Sequence, residues 1–301
     1  MQVPRLSMRL VALAALLLLS SARGAEAWGY DVHRFIMDRA VDLLPAELRP
    51  LFERNRAIVV ERAIDPDTWR TAGFESEDPH HFINIDWDGY GAYPFAELPR
   101  DYAAAVSKFG RSRIEQNGTL PWRIEEFYGN LRRTFEAYRR PTALTRFNIL
   151  LFAASVSHYV ADALQPFHGV INYDGQVTGQ RGVHARFETA LFERYRAQLA
   201  LAPPPMPPVR DVRAFAFDRI VESAQLVPRL LQADREAIGA RDAYDDVYFA
   251  AFFASVRPVL ERRLSEAVAA SAALIAGAWE AAGRPPLPTD LPPFPPQRRR
   301  P

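Results

Sequence analysis

Residues 142–169 read TALTRFNILLFAASVSHYVADALQPFHG, and the fold turns on this stretch. Leu144, Phe147, Ile149, Leu150, Leu151, Phe152, Val156, Tyr159 and Val160 cover nearly every side of a helix predicted from Thr142 to Leu164. A helix that is apolar all round belongs at the centre of a helical protein, not on its surface. Pro166 ends it and turns the chain. Inside this apolar surface sit His158 and Asp162, four apart and so on one face, about 5–6 Å from each other. A carboxylate in such a place must be paired or bound to metal. His168 follows the turn and can swing back toward the same spot.

Working outward, His184 and Glu188 form a second His/carboxylate pair at helical spacing, and His33 and His81 also lie in short segments rich in carboxylates. Five of the six histidines are thus concentrated in such segments; His80 is the sixth. Taken alone, either pair also describes a local hydrogen bond or an i,i+4 ion pair worth about 0.2–0.5 kcal/mol. It is the joint pattern that points to shared metal. Composition narrows the choice of donors. The 301 residues contain no Cys, which excludes a disulfide framework, a thiolate zinc finger and a cysteine nucleophile. Any metal must use imidazole, carboxylate or backbone groups. With 37 Lys+Arg against 36 Asp+Glu, bulk electrostatics does not drive binding to nucleic acid or anionic membrane.

The remaining chain reads as helix with few strand signals. Helices are expected over 32–44, 51–64, 120–138 and 184–201, and two long ones over 210–236 and 242–282. Residues 71–97 read as loop with short extended pieces such as Phe82 to Ile85, and 169–182 as a Gly/Asn/Asp-rich loop. The prolines between 203 and 208 mark a bend. The class is all-α, a single-domain multi-helix bundle over 28–283. Residues 1–27 carry Arg5 and Arg9, an apolar run from Leu10 to Leu19 and an Ala25-Glu26-Ala27 cleavage site. That is the pattern of a signal peptide whose removal leaves no transmembrane anchor and implies export to the periplasm or outside the cell. Residues 284–301 are Pro/Arg-rich and read as a disordered tail.

His158-x-x-x-Asp162-x-x-x-Pro166-x-His168, with Gln165 before the proline, resembles the central signature of the zinc-dependent phospholipase C / S1–P1 nuclease superfamily. Asp65-Pro66-Asp67-Thr68-Trp69-Arg70 resembles its Asp-x-x-Arg segment, and His81-Phe82-Ile83 its His-aromatic-Ile segment. The predicted mature start, Trp28, matches a family in which the first residue is a Trp that binds metal through its amine and carbonyl. The matches run in order from Trp28 to Glu188.

The resemblance implies three Zn²⁺ ions. One would take Asp67, His81, His158 and Asp162; a second Trp28, His33 and the other oxygen of Asp162; a third His168, His184 and Glu188. His80 stands as the alternative to His81, which is favoured by the aromatic after it. Such a cluster implies hydrolysis of phosphate esters by metal-activated water, with Asp67 and Arg70 as catalytic residues, Arg70 offering a fork to phosphate or serving as an ordinary ion pair.

The substrate signals divide. The Trp28–His33 spacing resembles the nuclease branch, and single-stranded nucleic acid is the leading expectation, with Phe82, Tyr173 and Tyr90 as rings that could stack a base or equally line an acyl or choline pocket or simply pack. His184-x-x-x-Glu188 resembles the phospholipase branch, and the Gly-Gly-Asn element of the nucleases is replaced by Asn172-Tyr173-Asp174-Gly175-Gln176. A phospholipase C-like hydrolase acting on phospholipid is therefore the alternative, and a non-catalytic metal-stabilised helical protein the third reading. No stable protein partner is implied. Asn117-Gly118-Thr119 fits a glycosylation sequon, a pattern common by chance.

Overall fold

Thr142 starts the central helix by accepting a hydrogen bond at its hydroxyl from the Thr145 N–H, 3.1 Å away, which satisfies one of the donors that every helix N-terminus leaves open. In the computed structural model, which describes residues 29–138, 142–287 and 289, this helix runs Ala143–Leu164. Gln165 adopts the extended backbone that a following proline demands, and Pro166 opens a 3₁₀ turn, Pro166–Gly169. The predicted signal peptide, Trp28 and most of the Pro/Arg-rich tail lie outside the described residues.

The architecture is all-helical, with no strand among the described residues. In chain order the α-helices of six residues or more are α1 (Tyr30–Leu43), α2 (Arg49–Arg54), α3 (Arg56–Glu61), α4 (Asp65–Thr71), α5 (Tyr102–Phe109), α6 (Arg111–Asn117), α7 (Leu120–Ala137), α8 (Ala143–Leu164), α9 (Val212–Ala224), α10 (Val227–Ile238) and α11 (Asp246–Ala281). α8 is packed between α7, α11, α1 and α9. It is also the one described helix long and apolar enough to cross a membrane, and most of its apolar stretch is buried inside the protein. A buried central helix passes the same length test as a membrane span. One continuous apolar core extends from Val32 in α1 to Ala282 just past α11.

Several boundaries depart from the sequence expectation. The stretch 51–64 is not one helix but α2, α3 and a 3₁₀ turn, Arg62–Ile64, and the chain enters α4 at once with Pro66 in its first turn. A proline there forfeits only an N–H that has no partner anyway. The expected helix over 210–236 breaks before Val227-Pro228, because the Pro228 ring would collide with the carbonyl four residues earlier. α5 and α6 were not anticipated. Phe82–Ile85 is irregular rather than strand, although the Ile83 and Ile85 N–H groups donate to the carbonyls of His168 and Gly169 at 2.9 and 3.2 Å.

The proline-rich segment lies against α11. Val209 pairs its N–H with the Ala273 carbonyl at 3.1 Å, and Gly277 lets it approach: a Cβ there would stand 2.1 Å from the Val209 carbonyl oxygen. Arg284 to Leu287, assigned to the disordered tail, are ordered. Trp279 Nε1 donates to the Pro285 carbonyl at 2.9 Å, and Leu287 packs on the core.

Candidate metal centre

α8 supplies two donors from its buried face, His158 and Asp162, both 0% exposed. Their surroundings come from much shorter elements. His33 stands in the first turn of α1 and stacks on His158 with ring centroids 3.8 Å apart. Asp67 stands in the first turn of α4 and is fully buried. His81 ends a 3₁₀ stretch, Glu75–His81, and His168 lies in the turn that Pro166 opens. His184 and Glu188 flank the start of a π-helical segment, Arg186–Ala190, a geometry that recurs at functional sites.

Three groups of donors result. Each set, His33/His158/Asp162, Asp67/His81/His158 and His168/His184/Glu188, has its ligand atoms within 4.8 Å of one another, and all members are buried. The first two share His158. Asp162 faces two ways: Oδ1 lies 3.5 Å from His33 Nε2 and 3.5 Å from His168 Nδ1, while Oδ2 lies 3.1 Å from His81 Nδ1 and 3.3 Å from His158 Nε2. His184 Nε2 stands 2.8 Å from Glu188 Oε2 and 3.1 Å from His168 Nε2.

The outer partners of these side chains turn their lone pairs inward. The Ala63 carbonyl lies 2.8 Å from His158 Nδ1, and the His81 carbonyl 2.7 Å from His168 Nδ1. Carbonyls only accept, so both imidazoles carry their proton on Nδ1 and present Nε2 to the cluster, the arrangement common among metal-ligating histidines. Gln165 donates from Nε2 to Glu188 Oε2 at 2.7 Å and accepts the Phe167 N–H at 2.5 Å. Arg186 locks the π-helical segment to α10, donating to Asp234 Oδ1 at 2.9 and 3.2 Å. Tyr248 donates to the same oxygen at 2.5 Å and Gln180 to Oδ2 at 2.7 Å. Sequence reading missed Asp234 and Tyr248, which lie far along the chain with no local signal.

Electrostatics favours the metal-binding protonation states at His33, His168 and Asp162 and opposes them at His158, Asp67 and Glu188. Burial holds His33 well below its ordinary value and His168 down to about 3, so both are neutral donors. Burial opposes ionisation of Asp162, but His158 and His168 outweigh it and hold that carboxyl well below the usual range. Burial would also depress His158, yet Asp162 and Asp67 raise it on balance. Asp67 and Glu188 are pushed up by burial. Despite this density of polar atoms, both nitrogens of His33, both oxygens of Asp67, Asp162 Oδ1, His81 Nε2 and His184 Nδ1 find no hydrogen-bond partner among the described residues. Buried polar groups are nearly always satisfied, and a missing ion is one of the few explanations when several in one place are not. The donor set, imidazole and carboxylate without thiolate, could hold divalent metal ions.

The cluster opens onto a cavity of about 480 Å³ lined by Arg70, Asp78, His81, Phe82, Asn84, Gln116, Phe167, His168, Tyr173 and His184. Two cavities of about 660 Å³ lie elsewhere on the surface and touch none of the three groups. Arg70 is both an ion-pair member and a cavity residue: its guanidinium stands 3.7 Å from Asp67 Oδ1 and 3.6 Å from Asp78 Oδ1. Gly118 seats Phe82, since a Cβ at that position (φ 90°) would stand 2.1 Å from the Phe82 carbonyl oxygen.

The expected donors other than Trp28, which is outside the described residues, therefore converge. His80 does not join them; its Nδ1 pairs with Thr119 Oγ1 at 2.7 Å. Tyr90, expected as a stacking ring, is 0% exposed and packs between Trp87 and Phe109, so it offers no face to a ligand. Asn117 of the sequon is buried and its amide donates to the Arg113 carbonyl at 3.2 Å, which leaves it inaccessible to a glycan. No protein-family model matches the chain, and no curated protein matches it.

Proposed function

We propose that this chain is an exported zinc-dependent phosphodiesterase, and that its substrate is single-stranded nucleic acid. The observation that carries this reading is a set of three adjoining, buried His/carboxylate groups, two of which reach a cavity edged by Arg70 through His81, His168 and His184. His33, Asp67, His81, His158 and Asp162 would hold two ions and His168, His184 and Glu188 a third, with Trp28 completing the set. Bound Zn²⁺ supplies Lewis acidity and a water whose pKa falls from 15.7 to about 7.

The protein's own groups do the rest. Asp162 presents one oxygen to each inner group and fixes their separation. Asp67 and Asp78 flank the Arg70 guanidinium, whose N–H fork suits phosphate oxygens. Phe82 and Tyr173 supply aromatic faces for a base, and the Asn84 and Gln116 amides can meet its edge. Phe167 adds an apolar face to the cavity wall.

A phospholipase reading keeps one specific support. Ile171, Tyr173 and Val177, on the loop that reaches the cavity, are 38%, 46% and 70% exposed, a rim that suits a lipid surface. Incubating purified protein of known zinc content with single-stranded DNA, RNA and phosphatidylcholine vesicles decides between them. Cleavage of the polynucleotides is expected. Headgroup release without it would replace the nuclease by the phospholipase, and a zinc-loaded protein inert on all three would leave a structural metal centre.

A further inference from the structure

His81 turns Nδ1 toward the cluster, 3.1 Å from both Asp162 Oδ2 and His158 Nε2. An imidazole that ligates through Nδ1 must carry its proton on Nε2, and that proton needs an acceptor. His81 Nε2 is buried and has no hydrogen-bond partner among the described residues. The carboxylate standing behind it is Glu77, one turn earlier in the 3₁₀ stretch, with Oε1 4.0 Å away. Glu77 is 6% exposed and is gripped from two sides. Tyr159, next to His158 on α8, donates to Oε1, and Arg123 of α7 donates to Oε2 at 2.8 Å and to the Tyr159 hydroxyl at 3.2 Å. An ion pair with Arg123 alone would not require the carboxylate to face an imidazole edge.

We infer that Glu77 is a positioning residue for the metal centre. With metal bound, its Oε1, 4.0 Å from Nε2, would close on the Nε2–H of His81, favour the tautomer that leaves Nδ1 free to ligate, and strengthen that nitrogen as a donor. Tyr159 and Arg123 keep it in place. The inference rests on the metal reading of the site, and its test separates the two.

Purified protein, stripped of metal, is titrated with Co²⁺ against a competing chelator, with the visible absorption bands of the bound ion recording its coordination. Glu77→Gln keeps the shape and removes the charge; about 10- to 100-fold weaker binding is expected, with altered bands. Glu77→Asp, its carboxylate withdrawn by one methylene, gives a smaller loss in the same direction and serves where the Gln variant does not fold. Arg123→Gln breaks the ion pair but leaves the carboxylate held behind His81 by Tyr159, and gives a clearly smaller loss than Glu77→Gln. Unchanged affinity in both Glu77 variants would overturn the inference, and so would an equal loss in Arg123→Gln, which would make Glu77 only the counter-ion of Arg123. A wild-type chain that takes up no cobalt would instead sink the metal reading, and this inference with it.

Discussion

The chain from Gly29 to Glu188 and the chain from Val212 to Ala281 are both helical, yet they are built differently. Every member of the three donor groups lies in the first, and outside α8 those donors sit on helices' opening turns, 3₁₀ turns or a π-helical segment. The second contributes no donor to them and is mainly long helix, including the 36 residues of α11, about 54 Å at 1.5 Å per residue. One long, buried helix provides the reference, and short irregular elements steer single side chains toward it. Long helices then fill the core behind. Convergence and rigidity are thus assigned to different lengths of chain.

The sharpest way to break this division is to strike the residue that faces two ways. Asp162→Asn should take phosphodiester hydrolysis to background, a loss of several orders of magnitude, while the metal-free fold keeps its unfolding midpoint. Zinc content and initial rates check it, and a variant of near-native rate would remove Asp162 from the site. The contact between the two regions should come next. Asp234→Ala strands the buried Arg186 guanidinium and is expected to cost about 3–5 kcal/mol in denaturant unfolding, with weakened zinc binding because the π-helical segment carrying Glu188 loses its anchor.

A substitution wholly within the scaffold should separate stability from activity. Leu274→Ala, at a 0% exposed site in α11, should cost about 2–4 kcal/mol with kcat unchanged at temperatures where the variant is folded. A fall in kcat of tenfold or more would show that the long helices do more than fill. The smallest effect concerns His80, which neighbours a donor without being one. Burial, with Arg123 beside it, holds this imidazole down to about 4, so the folded chain resists a proton that the unfolded chain accepts near 6.5. Its contribution is intact above that value and drains as pH falls toward 4, on the order of 1–2 kcal/mol after allowance for partial exposure. Unfolding of the metal-free chain between pH 7 and 4 should therefore be less acid-sensitive in His80→Gln than in wild type; identical profiles would refute it.

Much of the first region was legible because its signals are local. An all-round apolar surface identifies a buried helix, Pro166 ends it, and i,i+4 spacing puts His158 beside Asp162 and His184 beside Glu188. What escaped depends on distance or on competition between rules. Asp234 and Tyr248 meet Arg186 across 48 and 62 residues, beyond any periodicity. Glu77 carries the same four-residue offset from His81 as the recognised pairs, but in a segment whose proline and glycine content reads as loop. Pro228 did announce the break between α9 and α10, and the Ala/Leu/Arg-rich run on either side of it hid it. Pro258, by contrast, is carried inside α11 without ending it, so proline alone does not set a boundary.

The distances along the chain have a consequence in time. His81 meets Asp162 across 81 residues, His168 meets the His81 carbonyl across 87, and His158 meets the Ala63 carbonyl across 95. Contacts of such separation form late, because the entropy of closing long loops is lost before they reward it. No early fragment of the chain can assemble the donor set, so capture of a cation would record the end of folding and not its beginning. Metal uptake, followed second by second during refolding, would then serve as a clock for the arrival of the long-range contacts of the first region.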